Sequence, residues 1–178
     1  MKKNRRLFRL TKIALATAFM CVIAPISLPL GAIPFTLGSL CLYLIALSFS
    51  PMDTFLTVFL YIAVGLLGLP VFSGFTGGVQ ALVSPTGGFL LAYPFTALLI
   101  SYIGGGFRGH FARRSIALLL GTVFLYVCGV IGYLFVTGAQ FDLALSVLFL
   151  PLFLADLLKV AAALFVFTRL SPFLERKG

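Results

Sequence analysis

Hydrophobic residues fill long continuous stretches of this chain, and its polar positions gather in a few short segments between them. No Asp, Glu, Lys or Arg occurs at residues 13–52, 54–107 or 115–141. A helix needs about 20 apolar residues to cross a ~30 Å hydrocarbon layer, so these stretches are long enough for several crossings. Five predicted spans, at residues 10–28, 34–49, 50–68, 86–102 and 115–136, fall mostly within these stretches, and a sixth, at 150–169, follows them and contains charged residues. The pattern predicts an all-α, polytopic integral membrane protein.

The composition supports this interpretation. Of the 178 residues, 61% are hydrophobic and 10% are charged, whereas roughly a quarter of an ordinary soluble domain is charged. A soluble fold of this length has too much surface to hide so much apolar area, so a soluble enzyme is excluded. Six spans leave no room for a second domain, and we expect residues 1–178 to form a single transmembrane domain.

Basic residues indicate how the chain crosses the membrane. Twelve of the 13 Lys and Arg residues lie beside predicted spans, in the tail 1–12, the loop 104–114 and the C-terminal residues 169–177. Such residues mark the cytoplasmic side, and an even number of spans places all three segments there, with both termini cytoplasmic. The Gly-rich loop 68–88 then lies outside. We interpret the net charge of +9 as topology rather than as nucleic-acid or lipid recognition.

The segment before the third span has the pattern of a helix start. Ser50 is a capping residue type, Pro51 suits the first helical position, and Asp53 favours the positive end of the helix dipole. We therefore expect a structural role for Asp53. We also expect a short interfacial helix at residues 141–149. The three cysteines show no paired spacing and are interpreted as apolar filler rather than as a disulfide or metal site.

Asp156 and Lys159 carry the strongest indication of function. They are three positions apart in the last predicted span, which puts both side chains on one helix face. Lys159 is roughly 13 Å from the start of that span, near the middle of a ~30 Å layer. Charges at this depth cost about 2.5 to 3.5 kcal/mol each, so they face a polar cavity or one another. We favour a cavity for a small polar ligand bearing N–H and C=O groups over a self-neutralising pair that only fixes packing.

The outer loop 68–88 is the most irregular part of the chain, since six of its 21 residues are Gly. It is long for a connection, and we favour a binding lid over a flexible linker. Phe72 and Tyr93 lie in or beside it. Its hydrogen-bonding groups are the backbone N–H groups, including that of Gly78, and the side chains of Ser73, Thr76, Gln80, Ser84 and Thr86.

Catalysis finds little support in the sequence. The single His110 lies in the basic loop, no set of nucleophile and base falls on one membrane face, and no nucleotide-binding motif is present. We therefore expect neither enzymatic activity nor a metal or cofactor. Ala14 and Ala18 place small residues one turn apart on the first span, a spacing that lets helices approach closely in lipid.

Three stretches together resemble the BioY family, the biotin-specific S components of energy-coupling-factor (ECF) vitamin transporters. They are GAIPFTLGSLCLYL at 31–44, GLLGLPVFSGFTGGVQALVSPTGGFLLAYP at 65–94, and the D-x-x-K of Asp156 and Lys159. The resemblance implies a six-helix protein of the cell membrane that captures biotin from outside. Delivery would then require a transmembrane coupling protein and a pair of ATP-binding-cassette ATPases.

The resemblance also implies roles for particular residues. Asp156 and Lys159 match the family's acid–base pair near the ligand, and Ala14 and Ala18 match small residues that dock on the coupling protein. Biotin is the transported ligand, not a cofactor. Gly38 departs from the family, which usually has T-L-Q where this chain has T-L-G, so a polar contact from the second span is missing here.

The pose of biotin stays open at this point. Its ureido ring can use Asp156 as acceptor and Lys159 as donor, with the carboxylate met by backbone N–H groups, Gln80, Thr86 or water. In the other pose, Lys159 meets the carboxylate directly. Two other functions are alternatives: a self-sufficient secondary transporter or channel with Asp156 as an ion or proton relay, and an intramembrane enzyme.

Overall fold

Six α-helices make up most of the part of the chain that the structure describes. The structure, a computed structural model, describes residues 2–28, 34–105, 110–141 and 150–175, and the side chains of 6–28, 34–105, 110–141 and 152–169. Within these residues the helices are α1 (Lys2–Ile23), α2 (Gly38–Ser48), α3 (Pro51–Leu66), α4 (Gly87–Gly104), α5 (Phe111–Thr137) and α6 (Leu150–Glu175). The prediction of an all-α fold with about six helices is confirmed.

The first two predicted spans are helical over only part of their length. Helix α1 ends at Ile23, before Pro25, and a two-stranded antiparallel hairpin of β1 (Ser27–Leu28) and β2 (Phe35–Thr36) occupies the ends of both predicted spans. Proline lacks the N–H that a continuing helix needs. Helix α2 has 11 residues and is about 16 Å long, so it covers roughly half of a ~30 Å layer. Above its outer end there is room for a cavity.

Two of the described helices, α4 and α5, are long and apolar enough to cross a membrane by the usual test of length and hydropathy, and α2 and α3 are shorter apolar helices. The backbones of α4 and α5 touch near the first residues of α4 and the last residues of α5. A β-carbon added to Gly88 would lie 2.8 Å from the Cα of Gly132. Small residues permit this approach, which van der Waals packing in lipid favours.

Most of the buried apolar residues form one cluster with members from all six helices, and Tyr126, Val130 and Leu152 form a second, smaller one. The largest fully buried side chains include Met20, Leu42, Tyr43, Leu47, Ile100, Leu118, Leu125 and Phe167. These residues come from every helix except α3, which contributes the buried Val58 and Tyr61. The bundle therefore behaves as one packed unit around the helix ends that form the site.

Basic residues link the helices at the end predicted to be cytoplasmic. Arg9 forms an ion pair with Asp53, Lys12 lies 4.1 Å from the centre of the Phe49 ring, and Arg114 stacks on Phe167. Asp53 lies in the first turn of α3 and joins this helix to α1.

The predicted helix start is found in the structure: Ser50 is the N-cap residue of α3 and Pro51 is its first residue. Among the described residues the Ser50 side chain forms no capping hydrogen bond, and its backbone carbonyl accepts the first helical hydrogen bond, from Thr54 N–H. The interfacial helix predicted at 141–149 lies outside the described residues beyond position 141.

Candidate functional site

Asp156 and Lys159 form a buried ion pair on α6. Their exposed fractions are only 4% and 6%, and Lys159 Nζ lies 2.5 Å from Asp156 Oδ1. Ser39, the second residue of α2, bridges them, because its Oγ accepts from Lys159 Nζ at 2.8 Å and donates to Asp156 Oδ1 at 3.2 Å. The face of the Phe35 ring lies 3.8 Å from Lys159 Nζ, a separation typical of cation–π attraction.

The Asp156 carboxylate also contacts tyrosine hydroxyls. Tyr43 on α2 donates to Asp156 Oδ2 at 3.4 Å, and the Tyr126 hydroxyl on α5 also interacts with this carboxylate. Thr122, one turn before Tyr126, donates to Tyr43 OH at 2.9 Å. The carboxylate is therefore held by groups from α2, α5 and α6, which compensates the cost of burying a charge in the bundle.

A cavity adjoins the pair on the side facing the outer end of the bundle. It encloses about 750 Å³ of space free of protein atoms, its open mouth included, of which about 80 Å³ admits the centre of a water molecule. Asp156, Lys159 and Ser39 line its polar wall. Its aromatic and aliphatic wall includes Phe35, Tyr61, Phe72, Phe89, Leu90, Tyr93, Leu125, Tyr126 and Leu152.

Residues 67–86, which we call the outer cap, fold over this cavity. The cap contains two short 3₁₀ helices, Ser73–Phe75 and Val79–Val83. Backbone hydrogen bonds fasten it to the bundle, from Gly74 N to Pro25 O at 3.0 Å and from Gly78 N to Gly65 O at 2.7 Å. Its cavity-lining residues are Phe72, Ser73, Thr76, Ala81 and Thr86. These hydrogen bonds and lining residues support the interpretation of the segment as a lid, which stays a prediction.

Seven of the residues that the sequence analysis named for ligand binding lie on the cavity wall: Phe72, Ser73, Thr76, Thr86, Tyr93, Asp156 and Lys159. Gln80 and Gly78 are not on the wall as far as the structure describes it. Gln80 is exposed and its side-chain amide donates to Gly77 O, and the Gly78 N–H is taken by Gly65. Ala14 and Ala18 are exposed on α1, away from the cavity.

Sequence reasoning missed Ser39, Phe35 and Tyr126. Each lies in an apolar stretch with no local signal that distinguishes it from core residues. Ser39 was the most accessible to inference, since it directly follows Gly38 at the start of a helix. Gly38 also lines the cavity, and a β-carbon there would lie 3.2 Å from Tyr93 OH.

The site has the chemistry of binding. No group of three or more His, Cys, Asp or Glu side chains that could hold a metal occurs among the described residues. An acid, an amine and a hydroxyl meet at one end of an apolar cavity, an arrangement that orients a small molecule with both donors and acceptors.

Comparisons with known proteins identify relatives over nearly the whole chain. The BioY family model matches residues 1–176. The biotin transporter BioY2 of Lactococcus lactis is 34% identical over 157 residues, covering 88% of this chain and 86% of that protein. The biotin transporter BioY of Thermotoga maritima is 35% identical over 162 residues, covering 91% and 95%. A crystal structure described as the S-component for biotin from an ECF-type ABC transporter superposes with a TM-score of 0.85 at 25% identity, covering 100% and 96%.

Proposed function

The chain belongs to the BioY family, and we propose that it captures biotin from outside the cell as the S component of an ECF-type importer. It is a multi-pass membrane protein of a transport family, not an enzyme. The secondary transporter or channel that the sequence left open is not favoured, because the relatives are biotin transporters and the similar structure is an S-component.

The observation that carries the proposal is the buried acid–amine pair facing a cavity beneath the outer cap. The ureido ring of biotin bears two N–H donors and one C=O acceptor. A carboxylate accepts from such N–H groups and an ammonium donates to such a carbonyl. Charge-assisted bonds of this kind are stronger than neutral ones, and more so in a site shielded from water.

The rest of the cavity suits the remainder of the molecule. Phe72, Phe89, Leu90 and Leu125 offer apolar surface to the sulfur-containing ring and the aliphatic tail. In the outer cap, the Ser73 hydroxyl lines the cavity and has no hydrogen-bond partner among the described residues, so it is available to donate to the carboxylate. Thr86 can serve the carboxylate only by giving up its hydrogen bond with Ser84 Oγ. In the other pose, the carboxylate meets Lys159.

Isothermal titration calorimetry of the purified chain with biotin tests the proposal. We expect Asp156→Asn and Lys159→Ala each to weaken binding by about tenfold or more, since each removes a charged hydrogen-bonding group. Asp53→Asn is a matched control, because Asp53 is another buried carboxylate at the opposite, basic end of the bundle. Wild-type affinity in both site variants, or no binding of biotin by the wild type, would overturn it.

Biotin methyl ester distinguishes the two poses. If Lys159 meets the biotin carboxylate, Lys159→Ala weakens biotin binding much more than binding of the ester. If Lys159 contacts the ureido carbonyl, the substitution weakens both ligands equally. Mass spectrometry of the small molecule that co-purifies with the chain identifies the ligand independently.

The transport role requires partners, since the chain has no nucleotide-binding motif. The partners are a transmembrane coupling protein and a pair of ABC-type ATPases, with biotin as cargo rather than as cofactor. Residues 1–178 form one substrate-binding domain, with a cytoplasmic tail 1–12, an external loop 68–88 and a cytoplasmic loop 104–114. Ala14 and Ala18 lie exposed on α1, as a docking surface requires.

A further inference from the structure

Two hydroxyl groups lie behind the Asp156 carboxylate. Tyr43 on α2 and Thr122 on α5 are both 0% exposed, and neither is among the described residues that line the cavity. A ligand in the cavity therefore does not touch them. Their hydroxyls nevertheless connect three helices at the carboxylate, since Thr122 Oγ1 lies 2.9 Å from Tyr43 OH, which lies 3.4 Å from Asp156 Oδ2.

The direction of these hydrogen bonds follows from the chemistry of the groups. An ionised carboxylate only accepts, so the single hydrogen of the Tyr43 hydroxyl points at Asp156. The Tyr43 oxygen is then an acceptor, and the Thr122 hydroxyl is the donor aimed at it. The carbonyl of Leu118, one turn earlier on α5, lies 2.8 Å from the same Thr122 hydroxyl and competes for its hydrogen.

The two carboxylate oxygens are held differently. Oδ1 receives Lys159 and Ser39, which both line the cavity and are accessible to a ligand. On Oδ2, Tyr43 approaches from the buried side. A carboxylate rotates about its bond to Cβ unless both oxygens are bound. The buried Tyr43 contact, together with that of the Tyr126 hydroxyl, therefore fixes the plane in which the carboxylate meets a ligand.

We propose that Thr122 and Tyr43 are positioning residues for ligand recognition: Thr122 orients the Tyr43 hydroxyl, which sets the Asp156 carboxylate for the N–H donors of the ligand. The inference rests on the proposed function, because it assigns these residues to the same site. It predicts that removing the Thr122 hydroxyl, which does not contact the ligand, changes biotin affinity only through its effect on Asp156.

The experiment uses Thr122→Val, which keeps the side-chain shape and removes the hydroxyl. We expect biotin affinity to fall by about threefold to tenfold, as for the loss of one buried hydrogen bond. Thr122→Ser restores the hydroxyl and the affinity. Thr96→Val is the matched control, because Thr96 is also 0% exposed and its hydroxyl has no hydrogen-bond partner among the described residues.

A double-mutant cycle separates positioning from general stability. In the Asp156→Asn background, Thr122→Val should cost no further affinity, because the carboxylate it acts through is gone. The inference would be overturned if the two substitutions lowered biotin affinity additively, or if Thr122→Val bound biotin with wild-type affinity. In either case, biotin binding by the wild type would leave the proposed function intact.

Infrared spectroscopy decides the question without any ligand. The difference spectrum between wild type and Asp156→Asn identifies the carboxylate stretching bands of Asp156. Thr122→Val should shift these bands and Thr96→Val should not. Unshifted bands in Thr122→Val would refute the positioning role, whether or not the wild type binds biotin. Failure of the wild type to bind biotin would by itself count only against the proposed function.

Discussion

Gly65 on α3 and Phe72 in the outer cap fit together so closely that a β-carbon at Gly65 would overlap the Phe72 ring. Phe72 is 4% exposed, packs edge-to-face on Tyr61 with ring centres 5.7 Å apart, and lines the cavity. Because Gly65 has no side chain, the Phe72 ring can pack directly against α3, and this contact sets its position on the cavity wall.

Gly65→Ala should therefore disturb the site from a distance. We expect the added methyl to displace Phe72, to lower stability by about 1–3 kcal/mol through overpacking, and to weaken biotin binding. Thermal unfolding in detergent and calorimetry measure the two effects. Gly104→Ala is the control, because a β-carbon there makes an ordinary contact 3.4 Å from the Ala117 Cβ. An unchanged unfolding temperature in Gly65→Ala would contradict this packing.

Substitutions in the Asp156–Lys159 ion pair should affect protein stability and biotin binding in different ways. Lys159→Met leaves the Asp156 carboxylate buried without its counter-charge, which costs about 3–5 kcal/mol for buried pairs. Adding Asp156→Asn removes that charge and should recover most of the loss in thermal stability. Biotin binding should stay lost in the double variant. Recovery of binding there would mean that neither charge recognises the ligand.

A polar residue should affect biotin affinity only if it lines the cavity, and a position in the outer cap alone should not be sufficient. Tyr93→Phe removes a hydroxyl of the cavity wall and should weaken biotin binding about threefold to tenfold. Gln80→Ala should change the affinity less than about twofold, an effect typical of a surface substitution, since Gln80 is exposed and bonds within the cap. Calorimetric titration of both variants measures this. A large loss in Gln80→Ala would show that the cap rearranges to bring Gln80 to the ligand.

The exposed small residues of α1 should matter only for assembly. Ala14→Trp or Ala18→Trp adds bulk to an exposed helix face, so biotin binding should persist while co-purification with the coupling protein and ATPases falls. Ile116→Trp is the control, since Ile116 is 55% exposed on α5. Normal yields of the full complex with either alanine variant would place the docking surface elsewhere.

The ion pair at the basic end should contribute to stability without affecting the ligand. Arg9 is 51% exposed in its side chain, so Arg9→Ala should cost at most about 1 kcal/mol. Asp53→Asn should cost more, because it also removes the favourable interaction with the N-terminus of α3. Thermal unfolding ranks the two. An equal loss of stability in the two variants would mean that the interaction of Asp53 with the helix N-terminus contributes nothing. Biotin affinity should be unchanged in both variants.

Much of this architecture follows from local patterns along the chain. Charge-free stretches predict the helices, the basic segments predict their orientation, and three-residue spacing predicts that Asp156 and Lys159 share a face. These features depend on the 3.6-residue period and on the cost of placing charge in lipid, which act within one segment. The hairpin was missed because it interrupts an apolar stretch in which Pro25, Pro29, Gly31 and Pro34 indicate a break but no alternating pattern indicates strands.

Only the tertiary structure decided what surrounds the acid and the amine. Ser39 and Tyr43 are 117 and 113 positions from Asp156, and their approach depends on the length of α2 and on how it packs against α5 and α6. Likewise Gln80 and Thr86 belong to the same polar loop, but only Thr86 reaches the cavity. Helix rotation and close glycine contacts are set by the whole packed bundle, and no local period in the sequence encodes them.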